Sequence, residues 1–326
     1  STCGTWSMRS LFEASTLSHN YGIITALQSK EDKHQMRDYI IATDNAADLP
    51  DEYIQEKAIT ILFMDYSVGD VLYTQENQLS VRDFYDKMRQ GAMPTTMAAN
   101  PEASRVQFAK EVEKGRDVLM ISFSSGMSST FANYRLAAQM VMDEYAGSKV
   151  CVVDSLASCG GQALQVMKAV QMKEHGVSID DNAKWLQDHA LNFSHFFTVS
   201  NLFHLYRGGR LSRGAAIVGT LASVKPLLYI NDDGKLVAYG RTHGRKKSIE
   251  ALADAWDTYA SKQYAAQNDT IYICHGDCEE DAQELAELMK KKAPDKKIMI
   301  HALSPVVGSH GAPGILTLHF MCDRRF

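Results

Sequence analysis

The chain has 326 residues and a formal net charge of −5, from 34 basic and 39 acidic side chains. That length suits two domains better than one, and the acidic balance argues against nucleic acid as a partner, because phosphate binding needs a basic face. No run approaches the ~20 apolar residues of a membrane span, and the six cysteines are scattered without a Cys-x-x-Cys pair, as expected of free thiols in a reducing cytoplasm.

No strand pattern is clear before Met36, so residues 1–37 read as an N-terminal extension, non-native or following a start codon placed too early. They lack the basic start and continuous apolar run of a secretory signal. From Asp38 onward short β-rich runs alternate with helical periodicity. Strands are expected at 39–43 and 58–64, then helices at 81–90 and 101–114. A strand at 118–123, a helix at 129–145, a strand at 150–153 and helices at 160–175 and 182–191 follow. After a strand at 195–199 comes a hairpin, 227–231 with 235–239, turning at Asp232-Asp233-Gly234. A helix at 245–265, a strand at 270–274, a helix at 279–292 and a strand at 297–301 complete the pattern. The expected fold is therefore α/β and two-lobed. Residues 38–191 would form a mostly parallel sheet with helices on both faces, and residues 192–326 a mixed α/β lobe.

Ligands of open α/β sheets sit beyond the carboxyl ends of the strands. Three expected strands end there in small polar loops that lead into helices: Asp44-Asn45-Ala46-Ala47-Asp48, Ser124-Ser125-Gly126-Met127-Ser128-Ser129, and Asp154-Ser155 with Ser158-Cys159-Gly160-Gly161. Each could simply cap its helix; three from one sheet point to a shared anion site at helix N-termini. Thr95 and Thr96 follow Pro94 and offer two hydroxyls to a carboxylate, or serve only as a connector. Arg210 lies in a tight Gly-Gly turn, open to a phosphate contact or to simple helix closure. Arg241 and Arg245 belong to the one basic cluster, which suits a solvated helix start or an acidic or phosphorylated partner. Ser309 and His310 lie in the Gly-rich segment 304–314, read as a loop, where little side-chain packing surrounds the histidine. Cys274 and Cys278 flank His275 without zinc spacing, so no metal site is expected. Dinucleotide, P-loop, zincin and nucleophile-elbow motifs are absent from the sequence.

Five segments in order resemble the DegV family: Asp44-Asn45-Ala46-Ala47-Asp48-Leu49, Ser124-Ser125-Gly126-Met127-Ser128-Ser129-Thr130, Gly208-Gly209-Arg210-Leu211-Ser212, Ser223-Val224-Lys225-Pro226-Leu227-Leu228 and Gly308-Ser309-His310-Gly311-Ala312-Pro313-Gly314. The resemblance spans residues 38–318. It implies a long-chain fatty acid bound between two lobes and no cofactor. It also implies, for members of the FakB type, presentation of the acid to a separate fatty acid kinase subunit. By the same resemblance Thr95, Thr96 and His310 hold the carboxylate, with Thr96 where Ser is usual and Met97 where Gln is. Asp44, Asn45, Ser124, Ser125, Gly126 and Ser309 would form head-group loops. Arg210, Arg241 and Arg245 would meet phosphate or partner. The picture is a cytoplasmic lipid-binding protein that contacts membranes at most transiently, and not an enzyme acting alone. The rival is a serine-dependent acyl hydrolase or transferase using Ser124 or Ser125 with His310 and Asp44. A third reading is a carrier or sensor of another carboxylate, such as an acyl-phosphate or a sterol-like acid.

Overall fold

The computed structural model describes residues 37–200, 202–211 and 223–326. The expected extension, Arg37 apart, and Ser212 of the Gly-Gly-Arg turn lie outside them. The chain opens with β1 (Tyr39–Asp44), α1 (Asp51–Glu56) and β2 (Thr60–Leu62). A small antiparallel sheet follows from β3 (Tyr66–Val68) and β4 (Val71–Tyr73), joined after α2 (Val81–Arg89) by β5 (Thr95–Thr96). Next come α3 (Pro101–Glu113), β6 (Asp117–Ser122), α4 (Thr130–Glu144), β7 (Val150–Asp154), α5 (Cys159–Glu174) and α6 (Ile179–His189). Strands β2, β1, β6 and β7 pair in that order, all parallel. Every residue of β1 and β6 is buried, which is why both read as continuous apolar runs rather than alternating ones.

The second half contains β8 (Phe196–Thr198), α7 (Phe203–Arg207), β9 (Val224–Ile230), β10 (Leu236–His243), α8 (Arg245–Tyr259) and β11 (Thr270–His275). It ends with α9 (Glu279–Lys292), β12 (Lys297–Ala302), α10 (Pro305–Gly311) and β13 (Leu316–His319). Its six strands are ordered β10-β9-β8-β13-β11-β12; only β11 with β12 is parallel. The mixed sheet and the β9–β10 hairpin match the sequence reading. Among the described residues no helix is long and apolar enough to cross a membrane.

Local chemistry sets the helix starts. Ser80 Oγ accepts from Asp83 N–H, Asn100 Oδ1 from Glu102 and Ala103 N–H, and Ser178 Oγ from Asp181 N–H. Three expectations need correction. The helix after 245 stops at Tyr259, not 265, and α6 begins three residues before 182 because Ser178 caps it. The Gly-rich segment 304–314 is not simply a loop: Pro305 stands at the first turn of α10. Its glycines serve close packing, since a Cβ on Gly308 would lie 2.5 Å from the Tyr85 hydroxyl.

Helix α5 lies between the two sheets. Its apolar residues share one cluster with Ile41 and Ile121 of the first sheet and with Phe197 and Tyr272 of the second. The approach is close enough that a Cβ on Gly161 would fall 1.8 Å from the His195 ring. A second tie joins the loop after β6 to the hairpin turn: Ser124 Oγ donates to the Gly234 carbonyl at 2.8 Å. There a Cβ on Gly126 would sit 2.2 Å from the Asp233 carbonyl oxygen, a backbone atom with little freedom to yield. Gly126→Ala is expected to cost about 1–3 kcal/mol of stability, read as an earlier urea midpoint at unchanged slope. An unshifted midpoint would show that the two loops part without cost.

Candidate functional site

A cavity of about 140 Å³ opens where the small β3–β5 sheet, α5, α10 and the second sheet meet. That is roughly ten times what one water needs. Met64, Phe123, Phe197, Leu205, Ile230 and Ile315 are among its apolar walls, and hydroxyl and imidazole side chains line the rest together with further apolar residues. One charged side chain, Arg210, reaches it among the described residues.

At one wall Thr96 Oγ1 lies 2.9 Å from His310 Nε2, although the two are 214 residues apart. Strand β5 aims the threonine. Thr95 and Thr96 alternate across it, so Thr95 points outward to Ser67 Oγ at 2.8 Å while Thr96 turns inward. Arg207 on α7 fixes this strand by donating to the Pro94 carbonyl at 2.7 Å. His310 ends α10 against Gly208, where a Cβ would come within 2.3 Å of His310 Nδ1.

Burial first, then the nearby guanidinium charges of Arg210 and Arg207, pull the His310 imidazole down to about 4. It is therefore neutral at pH 7, with one N–H. Nδ1 has no hydrogen-bond partner. A bare buried lone pair is better tolerated than a bare N–H, which favours the hydrogen on Nε2. Thr96 Oγ1 then accepts from His310, and its own hydrogen is free for a ligand. Arg210 donates from Nε to the Met127 carbonyl at 3.1 Å and also to the Gly208 carbonyl. A guanidinium carries five N–H donors, so donors remain for an anion.

The other expected site residues act elsewhere. Asp44 is fully buried and accepts from Phe123 N–H, Gln162 Nε2 and Ala46 N–H; burial raises its carboxyl to about 6. Asn45 pairs with both backbone groups of Met64 and so sets one cavity wall. Ser124 is spent on Gly234, Ser125 is exposed with its N–H on Asp154, and Ser309 donates to Pro305 within α10. Ser128 and Ser129, later in the same loop as Ser124, do line the cavity. Arg241 is exposed on the edge strand β10, while Arg245 pairs with Asp281 through both Nε and a terminal nitrogen. Ser124 and Ser125, His310 and Asp44 make no hydrogen bonds with one another, so nothing favours the hydrolase arrangement.

Sequence reading missed the apolar walls and the histidines His195 and His319 at the cavity, whereas Ser158 and Cys159 of the expected loop after β7 do line it. Hydrophobic residues on separate strands carry no sign of which ones share a hollow.

Fold and site together define an α/β protein with a parallel sheet, a mixed sheet and a small third one, and a largely apolar cavity with a threonine–histidine pair in its wall. The family model described as "Uncharacterised protein, DegV family" matches residues 39–322, and the chain belongs to the DegV family. It is 37% identical over 293 residues to a DegV domain-containing protein of Clostridium perfringens, covering 89% of this chain and 99% of that one. A DegV family protein of Thermus thermophilus, described by its fatty acid binding, superposes with a TM-score of 0.77 at 27% identity, over 88% of this chain and all of that one. DegV of Bacillus subtilis, described as a fatty acid binding protein, gives 0.75 at 26%, with the same coverage.

Proposed function

We propose that the chain binds a long-chain fatty acid in this cavity, with the carboxylate at Thr96 and His310 and Arg210 supplying the counter-charge. The observation that carries it is the threonine–histidine pair in the wall of a cavity that is otherwise largely apolar. An acyl chain needs the second property and a carboxylate the first. The finer reading is a substrate-presenting subunit of a fatty acid kinase, located in the cytoplasm where ATP is available and meeting membranes only transiently. It rests on the family resemblance, and exposed Arg241 is the residue such a partner would meet first.

Lipid extraction and mass spectrometry of the purified protein test the core of this. A stoichiometric long-chain acid is expected; an empty cavity that no added acid fills would refute the proposal. Thr96→Ala and His310→Ala should each weaken binding by about 1–3 kcal/mol, roughly 5- to 150-fold, without emptying the cavity. An ester hydrolysis lost in both His310→Ala and Ser125→Ala would replace the carrier by the hydrolase.

Binding should also depend on pH through His310. Its imidazole sits near 4 in the free protein, and an adjacent carboxylate favours the protonated ring, so its pKa rises on binding. The complex then takes up a proton, and affinity increases as pH falls toward the value in the complex. Titrations between pH 8 and 5.5 should show that increase in the wild type and a flatter profile in His310→Gln. Equal profiles would remove His310 from the head group.

A further inference from the structure

The cavity also carries a group of side chains that an acyl ligand does not call for. Cys159 comes from the first turn of α5, Cys274 from β11 and His319 from the end of β13. Their two sulfurs and one ring nitrogen all lie within 4.8 Å of one another. All three residues are buried, and Cys159 and His319 face the cavity. We propose that Cys159, Cys274 and His319 hold a single zinc ion whose fourth position opens toward the cavity.

The spacing fits. Zinc bonds of roughly 2.3 Å to sulfur and 2.0 Å to nitrogen, at a tetrahedral angle, set the two donors roughly 3.5 Å apart. Cys159 Sγ lies 3.4 Å from His319 Nε2. The tautomer fits as well. His319 Nδ1 lies 3.2 Å from the Ser194 carbonyl oxygen, which can only accept, so Nδ1 carries the hydrogen and Nε2 presents its lone pair to the thiols. The Thr317 hydroxyl is 2.9 Å from that Nε2 but also 3.3 Å from the Cys274 carbonyl. It has a second acceptor to turn to when the nitrogen takes a metal. Two thiolates and an imidazole favour zinc or copper(I) over magnesium, calcium or manganese.

The backbone is shaped around the group. A Cβ on Gly160 would lie 2.6 Å from the His319 ring and 3.1 Å from Cys274 Sγ, so a side chain there would part the cluster. Cys159 itself has φ +41°, the left-handed region that a residue with a Cβ rarely enters. A separate observation comes from His195. It is 2% exposed, lines the same cavity, and stacks edge-on with His319 at 5.2 Å between ring centres. Neither of its ring nitrogens has a hydrogen-bond partner. A buried imidazole is normally paired, and a hydrocarbon tail cannot pair it. Three protein ligands with water in the fourth position is the open form of a zinc site, and that water would give His195 its partner. The sequence hides all this by setting Cys274 beside His275 and Cys278, whereas the fold carries it to Cys159 and His319.

The test uses the full chain, reduced, treated with chelator and titrated anaerobically with cobalt(II). One equivalent should bind, with a thiolate-to-cobalt charge-transfer band in the near ultraviolet and tetrahedral visible bands that zinc(II) abolishes. Cys159→Ser and Cys274→Ser should each weaken the charge-transfer band and lower zinc affinity by at least the roughly 10- to 100-fold that loss of an outer-shell partner costs, while Cys151→Ser, outside the cluster, should bind as the wild type does. Because a buried variant could unfold, circular dichroism accompanies each. As a second measurement, zinc should protect Cys159 and Cys274 of the wild type from alkylation, read by peptide mass spectrometry. No charge-transfer band in the reduced wild type, or equal alkylation with and without zinc, would overturn the site. Lipid content measured on the same samples is independent of this outcome, so failure here leaves fatty-acid binding standing.

Discussion

An acid of eight carbons is expected to bind about four orders of magnitude more weakly than one of sixteen. Each buried methylene contributes roughly 0.8 kcal/mol, so eight of them amount to roughly 6 kcal/mol, or about 10⁴ in affinity. The head group meets the same Thr96, His310 and Arg210 in both acids, and the loss of translational freedom is nearly common to both. Charge-assisted hydrogen bonds add about 3–6 kcal/mol at most, so chain burial sets affinity and the head-group contacts set orientation. Calorimetry or displacement titration with acids of eight, twelve and sixteen carbons measures the slope directly. Thr96→Ala should lower the whole series by a constant amount and leave the slope alone. A flat series would move the binding energy to the polar wall and refute the acyl-chain reading.

Much of the first sheet was legible because buried parallel strands are continuous apolar runs, and β1, β6 and β7 carry that pattern, each followed by a helix. The hairpin β9–β10 was legible from its Asp-Asp-Gly turn, where Gly234 has φ +71°. Strand β13 was not, although it lies between β8 and β11 at the middle of its sheet. Four residues, Leu316–His319, are too few for a period to show, and their burial is imposed by neighbours distant in the chain. The pairing of Thr96 with His310 came from family resemblance rather than spacing, since nothing local joins two residues 214 apart. Polar loops after strands misled in one respect. Asp44, Asn45 and Ser124 have the chemistry of ligand contacts but use it to tie the chain to itself. A sequence shows which groups can hydrogen-bond; only the fold shows whether their partners are already supplied.

Replacing Arg325 by alanine is expected to cost about 3–5 kcal/mol of stability. Arg325 stands next to last in the chain, yet it is 1% exposed. Its guanidinium donates to three backbone carbonyls from separate segments: Leu156 at 2.6 Å, Asn231 at 2.9 Å and Ala190 at 2.8 Å. These belong to the turn after β7, the start of the hairpin turn and the short 3₁₀ segment after α6. One side chain thus ties the turn after β7, the hairpin turn and the 3₁₀ segment after α6 to one another. Burial lowers the guanidinium to about 10, still high enough to remain charged at neutral pH. Removing it leaves three carbonyls facing a dry space, and each unsatisfied group costs about 1–3 kcal/mol before relaxation. Arg325→Lys should recover only part of the loss, because a compact ammonium on a flexible stem does not match donors fanned across a planar fork. Urea unfolding of the wild type and both variants, with slopes compared to confirm a common transition, gives the three stabilities. A loss under about 1 kcal/mol in Arg325→Ala would mean that water replaces the guanidinium at all three carbonyls, and that the tie contributes little.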